Sequence, residues 1–435
     1  MVFAPVVVFS CAATTVALLQ AGGRGCLSEG GLQGCTAGRA LNRASWVTVT
    51  PDGRNVYVGA ENSGAVNIYD RVGGSGGLIQ HGGAEGCLAE NGIEGCGVAR
   101  GLVGARPVAV SPQGGSVYVG AHDGIAVFFR DRASGGLFQL PGAAGCVQDT
   151  AVEGCGAGRG LANGSVRGLA VSADGRTVYA AVRFTSVVAV FARDPESGAL
   201  RQLPGPAGCI SERRRPHCAL GRGLRGPRGI VFSPDQRFVY ISAEDGNAVA
   251  VFTRDRRTGA LTQLRGRSGC VQQRGGPDGC TPARAFLSPH QLALSPSGQY
   301  AYVASAHSAA VDVLRRDPAN GTLHQLARRA GCVEVGGGEG CAAGLALASA
   351  ESVAVAPSGT VYVAGNLSNA VAVFDVDPRT AGLRERACIA THGPSGCARA
   401  FGLIGVHSLA LSANGRTLYA ASERSNAVVV LTVGG

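Results

Sequence analysis

The chain contains no lysine, although it is strongly basic. All 39 basic residues among its 435 are arginine, and the formal net charge is +10. A positive surface can attract nucleic acid, anionic lipid or acidic ligands. The arginines are spread along the whole chain, and no basic run alternates with aromatic residues. The sequence therefore predicts no nucleic-acid partner, while a small anionic ligand remains open.

Aromatic residues (5%) and charged residues (16%) are also scarce, and no stretch has the periodicity of an amphipathic helix. The 69 glycines suit many tight turns rather than long helices. Hydrophobic residues make up 45% of the chain, which is enough for a large core and argues against disorder. There is no His-Glu-x-x-His zinc motif and no EF-hand loop, so we predict no metal and no cofactor.

Cysteine is abundant and regularly placed. Apart from Cys11, the 15 cysteines form seven pairs whose members lie nine residues apart, or ten in one pair: Cys26 and Cys35, Cys87 and Cys96, Cys146 and Cys155, Cys209 and Cys218, Cys270 and Cys280, Cys332 and Cys341, Cys388 and Cys397. Zinc sites usually have shorter spacings and add histidines. We therefore predict disulfides, and seven disulfides indicate export to the periplasm, the cell surface or the medium.

The cysteine pairs mark an internal repeat of 56 to 63 residues. Each copy has a Cys-bounded loop, an apolar run, a turn such as Pro51-Asp52-Gly53, and three further short apolar runs. The turn occurs seven times. Four short antiparallel strands per repeat are typical of a propeller blade. The sequence predicts an all-β fold, with one seven-bladed β-propeller domain over residues 13–435.

The two ends of the chain together predict how the propeller closes. Residues 426–431 match the third strand of a repeat, and no fourth strand follows them. Residues 14–20 align with a fourth strand and are predicted to complete the last blade, which would remove an open sheet edge. Residues 1–12 are an apolar candidate for a signal-peptide remnant; cleavage near Ser10-Cys11-Ala12 and lipidation of Cys11 both remain open. No transmembrane anchor is predicted.

The turn sequences resemble a known family. Residues 50–58, Thr-Pro-Asp-Gly-Arg-Asn-Val-Tyr-Val, resemble the YVTN-type propellers. The Ala-Val-x-Val-Phe and Thr-Gly-x-Leu segments that follow such turns resemble the lactonase-family propellers, which include 6-phosphogluconolactonase-like enzymes. The resemblance covers residues 14–435 and implies the propeller fold and a lactone hydrolase activity. The Cys-bounded loops depart from the cytosolic enzymes of that family and argue against a cytosolic sugar phosphate as substrate.

One alignment column holds most of the candidate site. Five residues before the residue that opens each turn, a Ser or Thr in six repeats and Ala356 in the sixth, the seven repeats carry Ser45, Arg106, Arg167, Arg228, His290, Glu351 and His407. If the inner strands are in register, these side chains form a ring at one mouth of the central channel. We assign His290, Glu351 and His407 as candidate catalytic residues, because histidine and carboxylate can activate water. Ligand binding is assigned to the three arginines, Ser45 and the adjacent Trp46, since arginine binds anions and Trp46 can stack on a sugar ring.

A structural interpretation of these columns remains open as well. Arg and His are tolerated at the start of an inner strand without any function, and Trp46 can equally pack in the core. A second arginine column, four residues after the second Cys, is predicted to tether neighbouring carbonyl groups; it comprises Arg39, Arg100, Arg159, Arg222 and Arg284. Two functions follow: an exported hydrolase of a small lactone, or a non-catalytic propeller that binds a cell-surface glycan or a protein.

Overall fold

The computed structural model describes residues 18–20, 25–149 and 154–434. Seven sheets stand as blades around a central channel, so the predicted seven-bladed, all-β fold is confirmed. The inner strand of each blade contacts that of the next, and the seventh contacts the first. We number the blades by their inner strands: Ala44–Val49, Val108–Val110, Val166–Val171, Pro227–Phe232, Pro289–Leu294, Ala350–Val355 and Val406–Leu411.

Outside the inner strands, each blade continues with a second and a third strand. The second strands are Asn55–Ala60, Ser116–Gly120, Thr177–Val182, Phe238–Ala243, Tyr300–Ser305, Val361–Gly365 and Thr417–Ser422. The third strands are Ala65–Arg71, Gly124–Arg130, Val187–Arg193, Ala248–Arg254, Ala310–Arg316, Ala370–Val376 and Ala427–Val433. All of these strands pair antiparallel.

Each blade contains more strands than the four antiparallel strands predicted for it. In six blades the third strand pairs both with a short outer strand and with a second short strand that begins at the first cysteine. The outer strands are Leu18–Gln20, Leu78–Gln80, Leu137–Gln139, Leu200–Gln202, Leu261–Gln263 and Leu323–Gln325. The cysteine strands are Cys26–Glu29, Cys87–Ala89, Cys146–Gln148, Cys209–Ser211, Cys270–Gln273 and Cys332–Val335. In blade 6 the two are one strand, Leu383–Ala390.

A last, parallel strand follows each cysteine loop. These strands are Thr36–Gly38, Gly97–Val98, Gly156–Ala157, Ala219–Leu220, Thr281–Ala283, Ala342–Gly344 and Ala398–Arg399. In the described part of the chain, the helical elements are 3-10 turns: Leu32–Gly34, Gly83–Gly86, Ile93–Gly95, Gly142–Gly145, Gly205–Gly208, Gly266–Gly269 and Arg328–Gly331. No described helix is long and apolar enough to cross a membrane.

The N-terminal residues share a sheet with the C-terminal strands. Leu18–Gln20 and Cys26–Glu29 both pair antiparallel with Ala427–Val433, which lies in blade 7. The predicted closing strand covered residues 14–20, and its first four residues lie outside the described residues, as do the predicted signal remnant and Cys11.

Each predicted cysteine pair forms a disulfide within its own repeat, with Cα–Cα distances of 4.6 to 4.9 Å. The loops that carry them lie at the same end of the blades as the start of the inner strands. Two pairings show this: Ala44 faces Ala60 at the end of the second strand, and Cys87–Ala89 pairs with the first residues of the third strand. We call this end the disulfide face, and the opposite end, with the Pro-Asp-Gly-type turns, the turn face.

The core lies between neighbouring blades. Every second strand carries one buried tyrosine in the Val-Tyr-Val position of the repeat: Tyr57, Tyr118, Tyr179, Tyr240, Tyr302, Tyr362 and Tyr419. In five cases the hydroxyl donates to a glycine carbonyl of the next blade and accepts from an arginine at the end of that blade's third strand, as Tyr57 does with Gly135 and Arg130. These bonds fix the rotation of one blade relative to the next, and so fix the register of the inner strands.

Candidate functional site

The predicted column does form a ring of side chains at the disulfide face. Six of its seven members are the second residue of their inner strand, and Arg106 stands two residues before the strand of blade 2. All seven side chains are buried or nearly so. The common register follows from the turn motif, because each inner strand ends at the same turn, and six of the seven strands are six residues long.

His290, Glu351 and Arg228 lie together on three consecutive blades. The Nδ1 atom of His290 donates a hydrogen bond to Oε2 of Glu351, and Nη1 of Arg228 lies 3.6 Å from the same oxygen. On its other side, Nε2 of His290 lies 3.3 Å from the Ser288 hydroxyl and 3.5 Å from Oε1 of Glu244. His290 is therefore held between two carboxylates, with its ring orientation fixed.

His407 completes the predicted catalytic set from blade 7. Its Nδ1 atom lies 2.9 Å from the backbone carbonyl of Ser45, an acceptor, so Nδ1 carries the proton. The Nε2 atom faces Glu351 at 3.5 Å and Glu423 at 3.6 Å. Burial lowers the pKa of His407, although the two carboxylates act in the opposite direction. A neutral imidazole with an unprotonated Nε2 in this position can serve as a general base.

Three glutamates of the site have no counterpart among the residues predicted from the sequence. Glu61, Glu244 and Glu423 each follow the last residue of a second strand, in blades 1, 4 and 7. Because antiparallel pairing places that residue beside the start of the inner strand, the three carboxylates lie next to the ring. The sequence does contain a signal for these glutamates. If the repeats are aligned at the residue that follows each second strand, all three fall in the same column.

Two of the three predicted anion-binding arginines are already paired. Arg106 hydrogen-bonds Glu61 and lies 3.3 Å from Glu423. Arg228 donates through Nε to Glu244 at 2.5 Å. These arginines hold internal carboxylates in place.

Arg167 differs from these two arginines. Its closest carboxylate oxygen, on Glu61, is 3.8 Å from Nη1, and its Nε is buried without a hydrogen-bond partner among the described residues. Burial, together with the like charges of Arg106 and Arg228, lowers the pKa of Arg167 to about 9. An anion that binds here would relieve both the lack of a partner and the repulsion between the arginines.

Glu61, Glu244 and Glu351 are ionised at neutral pH, because the pKa of each lies below its ordinary value. Burial by itself would raise the pKa of Glu351, but the charge and hydrogen bond of His290 and the charge of Arg228 outweigh it and the net shift is downward. Burial opposes ionisation of Glu61 as well, yet the hydrogen bond from Arg106 and the nearby arginine charges lower its pKa to about 2. The site thus combines fixed negative charges, a neutral base at His407 and one arginine without a close partner. Among the described residues, no three His, Cys, Asp or Glu side chains converge as metal ligands do.

Trp46 and Ser45, both assigned to ligand binding, take different places. Ser45 is fully buried, its hydroxyl has no partner among the described residues, and its carbonyl orients His407. Trp46 lies one residue deeper, lines the channel below the ring and donates a 3.2 Å hydrogen bond to Thr48.

The second arginine column contacts backbone carbonyl groups, as a tether would. Arg39 donates to the carbonyls of His81 and Gly83, and Arg159 to those of Leu203 and Gly205. Both contacts join a cysteine loop to the outer loop of the following blade, which is a structural role.

Comparisons with known proteins agree with the fold. Residues 162–272 match the family model described as Lactonase, 7-bladed beta-propeller. No curated protein matches the chain significantly.

Solved structures match most of the chain. A candidate 6-phosphogluconolactonase from Bacteroides fragilis has 19% identity and a TM-score of 0.56, covering 81% of this chain and 85% of its own. The periplasmic gluconolactonase of Pseudomonas aeruginosa has 21% identity and a TM-score of 0.55, covering 81% and 86%. The hydrazine synthase of Kuenenia stuttgartiensis has 16% identity and a TM-score of 0.57, covering 92% and 99%. At these identities the likeness shows the fold alone, and the same fold serves unrelated reactions. The resemblance that the turn motifs predicted is confirmed: the chain is a seven-bladed propeller similar to those of the lactonase family, with one disulfide in each blade.

Proposed function

We propose that the protein is an exported hydrolase of a small lactone, with the ring at the disulfide face as its active site. The observation that carries the proposal is the break in symmetry: Arg228, His290, Glu351 and His407 converge from four consecutive blades of an otherwise repetitive molecule. A buried set of unlike acid, base and cation groups is typical of a catalytic site.

In the proposed reaction, His407 acts as general base. Its Nε2 takes a proton from a water molecule, and the oxygen of that water attacks the lactone carbonyl. Arg167 binds the developing oxyanion or an anionic substituent of the substrate, since it has no close internal carboxylate. Collapse of the tetrahedral intermediate breaks the ring C–O bond, and the imidazolium returns the proton to the leaving alkoxide. The products are one hydroxyl group and one carboxylic acid group on an open chain, so one water is consumed; the acid then releases its proton to solvent and becomes a carboxylate.

Glu351 and Glu423 would stabilise the imidazolium of His407 as it forms, and Glu351 also fixes His290. In this scheme His290, whose Nδ1 and Nε2 atoms face Glu351 and Glu244, holds Glu351 in place beside His407. Arg106 and Arg228 act by holding Glu61 and Glu244, as positioning residues.

The test is hydrolysis of a panel of aldonolactones and acyl-homoserine lactones. We expect Glu351→Gln and His407→Gln to lower kcat/KM by at least about 100-fold, the usual contribution of a general base. Glu196→Gln, at an exposed outer-loop position, is the matched control and should change nothing. Unchanged turnover in the Glu351→Gln and His407→Gln variants, with melting temperatures equal to the wild type, would contradict the proposed site.

The second candidate function is a binding or scaffold propeller without catalysis. It is favoured by the mutual pairing of ring charges, such as Arg106 with Glu61, because a purely structural ring would neutralise itself in this way. No turnover of any lactone by well-folded wild-type protein would favour this second function. The ligand would then be sought among cell-surface glycans and proteins.

Export is part of the proposal, and the seven intra-repeat disulfides support it. Such bonds form and persist in oxidising compartments. Cell fractionation with thiol labelling tests this point: protein from the periplasm, surface or medium should carry no reactive thiol at the fourteen paired cysteines.

A further inference from the structure

One of the seven cysteine loops departs from the others in both charge and backbone conformation. Between Cys209 and Cys218, blade 3 carries Arg213-Arg214-Arg215-Pro216-His217, whereas each of the other six loops has at most one arginine. Those six loops have a glycine in a left-handed conformation directly before the second cysteine, and His217 takes that conformation here, with a φ of 61°. A side chain is disfavoured in this region relative to glycine. The repeat therefore does not require this loop sequence, and its departure points to a separate role.

Three segments of the disulfide face meet at Ser186. Its carbonyl accepts the Glu212 N–H at 3.1 Å, and its hydroxyl accepts the Gly226 N–H at 3.3 Å. These two contacts place the arginine loop beside the turn that carries Phe184 and beside the segment that carries Arg225. Six exposed residues of these segments form what we call the arginine patch: Arg213, Arg214, Arg215, Arg225, Phe184 and Leu220.

The positive charge of the arginine patch is not neutralised from within the protein. Its four guanidinium groups have no carboxylate within 4 Å among the described residues. The nearby acids are engaged elsewhere, since Glu244 and Asp245 both pair with Arg183. Glu212 accepts a backbone N–H at 2.7 Å. The Cys209–Cys218 disulfide closes the loop, so the cost of ordering three of the arginines is largely met before any ligand binds.

Two large apolar side chains stand beside these charges. Leu220 is 59% exposed and lines a surface cavity of about 470 Å³ together with the three arginines of the loop. Phe184 is 61% exposed, and the guanidinium group of Arg183 lies 5.1 Å from the centre of its ring. Surfaces that combine arginine with exposed Leu and Phe bind at the boundary between lipid headgroups and acyl chains.

From this combination we infer that the arginine patch docks the protein on a membrane surface that contains anionic lipid. The guanidinium groups bind headgroup phosphates through paired hydrogen bonds, and Leu220 and Phe184 enter the boundary with the acyl chains. An acidic polysaccharide would also pair with the arginines, but it would leave both apolar side chains in water. Such docking does not depend on the lactone hydrolase, because no residue of the predicted ring belongs to the patch.

Sedimentation with lipid vesicles tests the docking on the oxidised protein. Binding should be weak on phosphatidylcholine, should rise with the fraction of phosphatidylglycerol and should fall with added salt. The triple variant Arg213→Gln, Arg214→Gln, Arg215→Gln should lower the partition coefficient about 100-fold, or about fivefold for each arginine. The matched control removes the same charge from three exposed turn-face positions that no large exposed apolar side chain accompanies, and it should bind nearly as well as the wild type: Arg54→Gln, Arg176→Gln, Arg416→Gln.

An apolar variant separates lipid from other anionic ligands. Leu220→Ser should weaken vesicle binding about tenfold without changing its dependence on salt, because it removes an apolar contact and no charge. Ile79→Ser, at an exposed position of an outer strand, should have no effect.

The inference is overturned if the wild-type protein does not bind anionic vesicles, or if the two triple variants lose binding equally. Loss of binding in the variant of the loop arginines, with normal binding of Leu220→Ser, would overturn the membrane as partner. It would assign the patch to a free anion or an acidic polysaccharide, which titration with inorganic phosphate and with alginate then distinguishes.

Discussion

At the scale of single residues, His407 decides how the proposed activity depends on pH. Its Nδ1 proton is fixed by the Ser45 carbonyl, and burial lowers its pKa below the usual 6.5. A general base is active when unprotonated, so a lowered pKa keeps the site active at mildly acidic pH. We expect the acid limb of the kcat/KM profile to lie below pH 6.5, measured from pH 4.5 to 8 on the best lactone. An acid limb above pH 6.5 would contradict His407 as the base.

Asp312 is a second buried residue whose charge has a measurable effect. It accepts hydrogen bonds from Ser305 (2.7 Å) and Gln325 (2.8 Å), and burial raises its pKa well above the ordinary value. The folded protein therefore holds this proton more tightly than the unfolded chain, so the contribution of Asp312 to stability falls as pH rises above about 4.

Replacing Asp312 with asparagine should remove that pH dependence. Asn67 occupies the corresponding position of blade 1 and is bonded to the Ala40 carbonyl and to Gln80, which shows that an amide fits the site. We expect Asp312→Asn to raise the free energy of unfolding at pH 8 by about 1–2 kcal/mol and to change it little at pH 4. The reverse substitution, Asn67→Asp, should destabilise at pH 8. Equal effects of Asp312→Asn at both pH values would argue against a buried, protonated carboxyl.

At the scale of strands and turns, the sequence predicts the features that recur in every repeat. It does not predict strands that are too short to show alternating apolar and polar residues. The turn motif aligns the inner strands, so their common register alone predicts the ring from Ser45 to His407. The cysteine strands could not be predicted, because three or four residues are too few to show an alternating pattern; their pairing with the third strand defines them. Blade 6 differs for a similar reason: its repeat is the shortest and lacks the Gly-bounded 3-10 turn, so Leu383–Ala390 runs on as one strand.

An arginine at the end of a third strand links its blade to the neighbouring blade. Arg130, fully buried at the end of its strand, donates to the Tyr57 hydroxyl (2.9 Å), to the Gly114 carbonyl and to Asp52 of the neighbouring blade. Losing it leaves a buried carbonyl and hydroxyl without their donor. We expect Arg130→Met to lower the free energy of unfolding by about 3–5 kcal/mol, measured by denaturant titration.

Arg201→Met, at an exposed position of the outer strand in blade 3, is the matched control and should lower stability by less than about 0.5 kcal/mol. A small effect of Arg130→Met would mean that the blades are held by apolar packing alone. The chain offers a natural comparison, because the third strands of blades 6 and 7 end in valine, Val376 and Val433, and the Tyr362 hydroxyl is buried without a partner among the described residues.

At the scale of the whole molecule, the first and last described strands meet in one sheet. A propeller has no central core, so its stability depends on every blade contacting both neighbours. Ala427–Val433 would be an edge strand without the N-terminal residues, yet it pairs with Leu18–Gln20 on part of its length and with Cys26–Glu29 on the rest. The side chains of successive residues in a strand point to opposite faces of the sheet. Leu18 therefore packs into the apolar cluster between blades 6 and 7, whereas the side chain of Leu19 is 56% exposed.

We call the pairing of Leu18–Gln20 with Ala427–Val433 the seam. The alternation of Leu18 and Leu19 allows this pairing to be tested without changing the length of the strand. We expect Leu18→Ala to lower the free energy of unfolding by about 2–3 kcal/mol, because it removes a buried side chain, while Leu19→Ala should be nearly neutral. If the whole propeller unfolds cooperatively, thermal melting of Leu18→Ala will be a single transition at lower temperature. If blade 7 opens first, hydrogen exchange will show early loss of protection in Ala427–Val433 and in the strands beside it. Equal effects of the two substitutions would mean that Leu18–Gln20 is not part of the seam in solution, and that the ring is closed by Cys26–Glu29 and its disulfide instead.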